Sequence, residues 1–315
     1  MDEIQMIDRK KLLFVYNPIS GTRIISRKLS QIVDIFTKYG YDVTCHPTQQ
    51  RNDCMETVIR CHDKYDLIVI SGGDGTLNEA VNGFMKCGYR NRFGYLPSGS
   101  TNDFSHSIGM PAQTADAARA IMEGTPISYD LGNLNGRFFT YVAGFGTLAE
   151  VSYSTPQNLK NTLGFTAYLL NGISALSSIE SYNIQYETPE KSDSGEYLLG
   201  LVTNSLYVGG FRNILVNDVS LNDGLFEILL VRKPKTAADM SAVASSLLKH
   251  DFNNRFIECF KSKSIRITCD KPISWTLDGE SGGSYELSII ENHHGAMNII
   301  GGSEQTAQPQ RPAAV

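Results

Sequence analysis

The chain is read as a two-domain protein, an α/β domain with a largely parallel sheet followed by an antiparallel all-β domain. Three observations lead there. From residue 10 to about residue 124, short β-rich runs alternate with amphipathic helical segments, which is the pattern of a parallel sheet with crossover helices. After Pro126 the texture changes to a succession of β-rich runs with turn residues between most of them, the pattern of an antiparallel β-domain. The length of 315 residues accommodates both, since ordinary domains run to about 100–200 residues. The expected division is 10–125 for the first domain and 126–290 for the second, with a further segment over 291–302 and a polar, Pro-bearing, disordered tail over 303–315.

In the first domain, strands are expected over 11–17, 41–46, 66–71 and 92–97, where Val, Ile, Leu, Phe and Tyr cluster between turn residues. Helices are expected between them over 23–39, 53–64 and 76–85. In the second domain the strand expectations are 137–143, 181–188, 197–204, 225–231, 264–268 and 285–290. Two helical stretches interrupt them, at 159–178 and 236–249. The first carries too many apolar positions for one narrow stripe and is expected to pack on at least two sides.

Composition narrows the classes of function. A hydrophobic content of 41%, 28 glycines and a net charge of −5 describe a soluble globular chain of enzyme-like character. Nucleic acid is not an expected partner, because a net negative protein lacks the basic field that supplies most non-specific affinity. The six cysteines (Cys45, Cys54, Cys61, Cys87, Cys259 and Cys269) are widely spaced without a CxxC pair, and no secretory leader precedes Lys11. They are expected to be reduced thiols of a cytoplasmic protein. No apolar stretch approaches the roughly 18–20 residues needed to span a bilayer.

The strongest local signal is Ser71-Gly72-Gly73-Asp74-Gly75-Thr76, set behind the apolar run from Asp66 to Ile70 and ahead of the helix-like Leu77-Asn78-Glu79-Ala80-Val81. Glycines there let the backbone approach a ligand closely, and a strand-to-helix junction aims amide N–H groups at a phosphate. Asp74 departs from ordinary phosphate loops, which avoid a carboxylate facing a polyanion. It implies a cation held through water, or an oriented hydroxyl, and either suits phosphoryl transfer.

Two more loops address the same sheet edge. Asn17-Pro18-Ile19-Ser20-Gly21 ends the first strand, and Leu96-Pro97-Ser98-Gly99-Ser100-Thr101-Asn102-Asp103-Phe104 follows the fourth. Ligands of open α/β sheets bind at that carboxyl edge. Near the other end, Trp275-Thr276-Leu277-Asp278-Gly279-Glu280 places two acids around a turn glycine, either of which can accept a proton from a substrate hydroxyl. Gly144-Phe145-Gly146-Thr147-Leu148-Ala149 matches a dinucleotide fingerprint only in letters, with no βαβ context and no acid about 20 residues later. No Walker-type loop occurs, and His293-His294 lacks metal-ligand partners at useful spacing, which leaves surface or edge-strand histidines.

Together these motifs resemble the diacylglycerol kinase catalytic-domain family, in particular its soluble bacterial lipid kinases. Four motifs occur in the family's order over about residues 10–302: Asn-Pro-x-Ser-Gly, Gly-Gly-Asp-Gly-Thr, Gly-Ser-Thr-Asn-Asp-Phe and Asp-Gly-Glu. Gly99-Ser100 stands where many members have Gly-Thr, which keeps the hydroxyl. The resemblance implies an NAD-kinase-like, phosphofructokinase-like nucleotide-binding domain, a C-terminal β-sandwich, and a final segment, 291–302, that returns to the first domain. It implies ATP and Mg²⁺, a cytoplasmic enzyme working at the membrane surface, a lipid hydroxyl as acceptor with diacylglycerol foremost, and a homodimer. Asn17, Thr48, Gly72, Gly73, Asp74, Gly75, Thr76, Leu77, Asn78 and Ser100 would contact ATP. Asp74 and Asp103 would serve an Asp-water-Mg²⁺ network, and either Asp278 or Glu280 would be the general base. Ser220, Asp223 and Leu225 match the family's structural Mg²⁺ loop, and the segment from Thr155 to Lys160 with Gly164, Ala167 and Tyr168 its lipid-facing helix entry. A kinase of a soluble substrate such as NAD, and a silent nucleotide-binding regulator, are the alternatives.

Overall fold

The computed structural model describes residues 9–100, 102–146, 180–205, 207–208, 211–212, 219–249 and 251–302. The expected helix at 159–178, the segment from Thr155 to Tyr168, Thr101 and the tail from 303 lie outside the described residues. The fold is mixed α/β, and the chain divides into two compact units: one takes the residues up to Ser128 and those from Met297 onward, the other Tyr129–Ala296.

In the first unit, β1 (Lys10–Tyr16), β2 (Tyr41–Pro47), β3 (Leu67–Gly72) and β4 (Arg92–Pro97) form a parallel sheet in the order β2-β1-β3-β4. Residues Asn298, Ile299 and Ile300, the end of the last strand, join β4 in parallel. Helices α1 (Ile24–Lys38), α2 (Asp53–Cys61), α3 (Asp74–Cys87), α4 (Asp103–Ser107) and α5 (Thr114–Glu123) connect and flank these strands. Both faces of the central strands are covered, so β3 is buried along its whole length and its sequence reads as an unbroken apolar run. On α1 the buried positions Ile25, Ile32, Ile35 and Phe36 form one stripe, and Phe36 meets Phe14 of β1 edge-on. On α3 the corresponding residues are Leu77, Ala80, Val81 and Phe84. The chain leaves β1 toward β2 on one side and places β3 on the other, so the connections from β1 and β3 diverge and open a crevice at their carboxyl ends.

Several boundaries differ from expectation for physical reasons. Helix α3 starts at Asp74, two residues early, because the glycine run ends in the N-cap Gly73 rather than in a longer loop. Helix α5 was not foreseen; its buried face is Thr114, Ala117, Ala118 and Ile121. Helix α4 is only five residues long.

The second unit is built on antiparallel pairing. It contains β5 (Pro126–Leu134, from Tyr129), β6 (Arg137–Phe139), β7 (Val142–Gly146), β8 (Tyr182–Glu187), β9 (Ser192–Thr203), β10 (Tyr207–Val208), β11 (Phe211–Arg212), β12 (Phe226–Arg232), β13 (Ile257–Ser262), β14 (Ser264–Leu277) and most of β15 (Glu280–Ile300). The order runs β13-β12-β9, then β7 and β8 side by side in sequence along β9 and β14, then β15 and β5-β6. Alternation along β8 buries Tyr182, Ile184 and Tyr186 and exposes Asn183, Gln185 and Glu187. These side chains join Phe139, Phe145, Phe226, Ile267 and Trp275 in one core. Trp275 Nε1 donates to Ser288 Oγ at 2.8 Å, which satisfies its buried polar edge. Helix α6 (Ala237–Lys249) adds Val243 to a second cluster with Leu199, Leu201, Leu229 and Val231, covering the opposite face of β9 and β12.

The expected strand over 137–143 is two strands. Thr140 and Tyr141 leave the ladder because their amides turn to the Asp278 carboxylate. Strands β14 and β15 run far beyond 264–268 and 285–290, with register shifts between Thr268 and Ile273 and between Trp275 and Thr276. Pro272 has no amide to give the ladder, and that break hid the strand's continuity.

Candidate active site

Three loops of the first unit meet at the carboxyl ends of β1, β3 and β4. The Asn17 amide donates to Ser71 O at 2.8 Å, and Asn17 Nδ2 lies 3.5 Å from Thr76 Oγ1. The Ser98 amide and the Tyr95 hydroxyl both donate to Gly72 O, at 2.9 and 3.0 Å. Glycine is demanded where the loops cross. A Cβ on Gly99 would stand 2.6 Å from Gly73 Cα, and one on Gly21, whose φ is +53°, would stand 2.3 Å from Ser98 O. The result is a closely packed glycine floor, the geometry that lets a polyanion approach main-chain N–H groups.

Helix α3 rises from this floor. Its N-cap, Gly73, makes no side-chain cap bond, so the first-turn N–H groups and the positive end of a 14-residue helix address the floor directly. Asn102, at φ +54°, accepts from the Gly99 amide at 2.8 Å and returns a bond from Nδ2 to Gly99 O at 2.9 Å, which locks the third loop. Asp74 and Asp103 are the first residues of α3 and α4. Asp103 is buried, and so is Oδ1 of Asp74. Complete burial, and then the negative charge of Asp74, push the Tyr95 phenol well above its ordinary range. A carboxylate field therefore sits at the edge of a cradle suited to phosphate, an arrangement in which a divalent cation would reconcile the two charges. The cradle and these acids fit ATP with Mg²⁺, although no group of three or more His, Cys, Asp or Glu side chains is preassembled for a metal among the described residues.

The other expected contacts fall around the same edge. Thr48 follows β2, and its amide donates to Tyr16 O at 2.9 Å, beside Asn17. Leu77 is buried on α3, Asn78 accepts from Asn82 Nδ2, and Ser100 is exposed on the third loop.

In the second unit, Asp278 and Glu280 differ sharply. Asp278 occupies the left-handed position of its turn, at φ +49°, and is almost fully buried. Its Oδ2 accepts from the Thr140 amide at 2.6 Å and the Thr140 hydroxyl at 2.8 Å; Oδ1 accepts from the amides of Tyr141 and Val142 at 3.0 and 3.1 Å. Four donors hold it as an anion. Glu280 opens β15 and is exposed.

The Ser220–Leu225 loop carries further charge. Asp223 Oδ1 accepts from the Leu225 amide at 3.1 Å, while Oδ2 lies 3.3 Å from Lys261 Nζ. The same ammonium is 3.3 Å from Glu227, whose side chain is fully buried. Ser220 Oγ donates to Asn222 Oδ1 at 3.3 Å. At a Mg²⁺ site formed by Ser220, Asp223 and Leu225, the Lys261 ammonium would compete with the ion for Asp223. Sequence reasoning missed both Lys261 and Asp130. Asp130 is fully buried and accepts from the amides of Gly224 and Gly295 at 2.7 Å each and from His294 Nδ1 at 2.9 Å. That gives His294 of the His293-His294 pair a structural partner. No sequence-local signal marks these contacts, because their partners lie far along the chain.

A glycine cradle at the switch point of a parallel sheet, edged by helix-borne carboxylates, defines a nucleotide-dependent phosphotransferase. The family model of the diacylglycerol kinase catalytic domain matches residues 11–134. The chain is 35% identical over 304 residues to a diacylglycerol kinase of Bacillus subtilis, covering 95% of this chain and 99% of that one. It is 31% identical over 283 residues to a diacylglycerol kinase of Staphylococcus carnosus, covering 90% and 92%. A crystal structure of a protein described as a putative diacylglycerol kinase from Bacillus anthracis superposes with a TM-score of 0.79 at 27% identity, covering 96% of this chain and 98% of that one. The chain belongs to the diacylglycerol kinase family, and it is an ATP-dependent lipid kinase.

Proposed function

We propose that the chain transfers the γ-phosphoryl group of ATP to the free hydroxyl of diacylglycerol, giving phosphatidate, and that it does so at a membrane surface. The observation that carries the site is the mutual packing of Gly21, Gly73 and Gly99, which forms a closely packed glycine floor under the N-terminus of α3. Diacylglycerol as acceptor is supported by the names of the relatives. No helix among the described residues is long and apolar enough to cross a membrane, so the proposed contact with the lipid surface is peripheral. The first unit is proposed to be NAD-kinase-like, supported by its β2-β1-β3-β4 parallel order. The second is proposed to be a β-sandwich, supported by Phe139 of β6 stacking on Phe226 of β12 within one core.

Bound Mg²⁺-ATP supplies the phosphoryl group and its charge neutralisation. In this proposal residues 72–78 bind and orient the phosphates, the amides of Thr76 and Leu77 being taken by Gly73 O, and Asn17, Thr48 and Ser100 place the rest of the nucleotide. Asp74 and Asp103 hold the water shell of the cation. Glu280 accepts the proton of the lipid hydroxyl, because it is exposed while Asp278 is committed to four donors. Catalysis is then mostly positioning and charge stabilisation.

The test is purified full-length protein with γ-labelled ATP, Mg²⁺ and a panel of diacylglycerol, ceramide, sphingoid base, undecaprenol and phosphatidylglycerol in mixed micelles. Label in phosphatidate is the expected result. Label in another lipid alone would overturn the choice of acceptor, and folded protein that labels none would overturn the kinase assignment.

A further inference from the structure

Helix α2 begins without a cap of its own. Its N-cap residue, Asn52, sits at φ +67° and makes no side-chain bond to the helix's first N–H groups. The acceptor comes instead from α3. Glu79, half-buried, accepts the Asn52 amide at Oε1 at 2.8 Å and also accepts the backbone N–H of Cys54. Burial, the largest influence, pushes the Glu79 carboxyl above its ordinary range against those two backbone bonds. A carboxylate caps a helix start best as an anion, where N–H groups and the helix dipole both favour it.

The placement of Glu79 gives that cap a consequence. It lies on α3 directly after Asn78, so it is rigidly attached to the turn that carries Gly73, Asp74, Gly75 and Thr76. The segment it grips follows Thr48. From Thr48 to Asn52 three backbone amides are anchored, that of Thr48 on Tyr16 O at 2.9 Å, that of Gln49 on Asp53 Oδ2 at 2.7 Å, and that of Asn52 on Glu79 at 2.8 Å. The first two anchors belong to β1 and to the start of α2 itself. Glu79 is the anchor that comes from the phosphate-binding helix.

We infer that Glu79 is a positioning residue that couples the phosphate cradle to the 48–52 loop, so that the nucleoside and the triphosphate of one ATP molecule are held in register. The inference rests on the proposed ATP site, and it adds a specificity element to it. Glu79 touches neither substrate nor cation in this assignment; it acts through the loop.

The experiment compares full-length wild type with Glu79→Ala and Glu79→Gln, measuring equilibrium binding of Mg²⁺-ATP and of Mg²⁺-tripolyphosphate by calorimetry alongside lipid phosphorylation. Glu79→Ala is expected to weaken ATP binding about 10-fold to 100-fold, the scale of a misplaced contact, while tripolyphosphate binding stays within about twofold. Its KM for ATP should rise in step while kcat stays within about threefold. Glu79→Gln retains a carbonyl acceptor for the Asn52 amide and should recover most of the ATP affinity. Equal losses for ATP and tripolyphosphate would overturn the inference, since they would mean a collapsed cradle rather than an uncoupled loop. Unchanged ATP affinity in a folded Glu79→Ala protein would overturn it as well. A wild type that binds ATP yet phosphorylates no lipid would defeat the kinase proposal alone, because the ratio of the two affinities still reads out the coupling.

Discussion

Asp278→Asn separates a structural acid from a catalytic one. The substitution is nearly isosteric, and Asn tolerates the left-handed backbone at φ +49°, so the turn itself is not strained. What changes is the donor count facing the group. Oδ2 accepts from an amide and a hydroxyl of Thr140, and Oδ1 from the amides of Tyr141 and Val142. The least costly orientation turns the new NH₂ toward Thr140, whose hydroxyl can reverse and accept, while the Thr140 amide at 2.6 Å meets a second donor. One charge-assisted bond is lost, at about 1.5–3 kcal/mol, and a buried N–H is orphaned, at about 1–3 kcal/mol. The sum, about 2.5–6 kcal/mol, is a large part of a typical domain stability of roughly 5–15 kcal/mol. At about 2–4 °C per kcal/mol for a unit of this size, Tm should fall by about 5–24 °C. Differential scanning calorimetry with circular dichroism checks it. A variant melting within about 2 °C of wild type and yet inactive would refute the structural role and return Asp278 to candidacy as the base.

Other substitutions address neighbouring claims. Glu280→Gln should lower kcat by about 10²-fold to 10⁴-fold, the usual worth of a general base, with an unchanged melting curve; near-normal turnover in the mixed-micelle assay would remove it from the mechanism. Lys261→Met removes the ammonium beside the buried Glu227, whose carboxyl burial already pushes up to about 7; the variant should lose little stability at pH 6 and progressively more as pH rises above 7, read by urea unfolding, whereas the double variant with Glu227→Gln should lose that pH dependence. Asp53 tests the pH dependence of the 48–52 loop. Burial opposes ionisation there, but bonds from the Gln49 amide, His46 and Thr57 outweigh it and hold the carboxyl below its usual 3.8. A depressed carboxyl contributes stability that is complete above that unfolded value and is lost as pH falls through the folded one. Asp53→Asn should therefore be less stable than wild type at pH 7 by about 1–2 kcal/mol, with the gap closing toward pH 3; a gap that persists in acid would show that the loss does not come from the charge.

Much of the first unit was legible because both faces of its sheet are buried. Leu12 through Val15 and Leu67 through Ile70 are almost completely covered, so each strand is a continuous apolar run, and the glycine-rich connections mark their own ends. The glycine cradle was visible as composition, though only the structure shows that Gly21, Gly73 and Gly99 are required by one another rather than by their own turns. The second unit was harder, since its long strands β14 and β15 carry Pro272 and glycines 282, 283 and 295, which imitate strand ends. The break between β6 and β7 could not be read locally at all, because its cause, Asp278, is 138 residues from Thr140.

The same distance explains why the acids could not be sorted by motif. Asp53, Glu79, Asp130, Asp278 and Glu280 are chemically near-identical side chains, and the acidic turn gave two of them equal standing as a base. Their roles separate once donors are counted. Asp278 holds the end of β6 and the start of β7, Asp130 joins the amides of Gly224 and Gly295, and Glu79 caps a helix whose N-cap lies 27 residues before it. Each donor reaches its acid from a remote or separately folded segment, so no window of sequence contains both halves of the interaction. A carboxylate whose oxygens are taken up by buried donors is stabilised as an anion and is poorly placed to take a proton, whereas one exposed to solvent, such as Glu280, is open to approach by a substrate hydroxyl. On the proposed reading, scaffold and base within Asp-Gly-Glu are distinguished by where the chain's amides point. Moving the base by one turn position would require rebuilding the start of β7, not exchanging one acid for another.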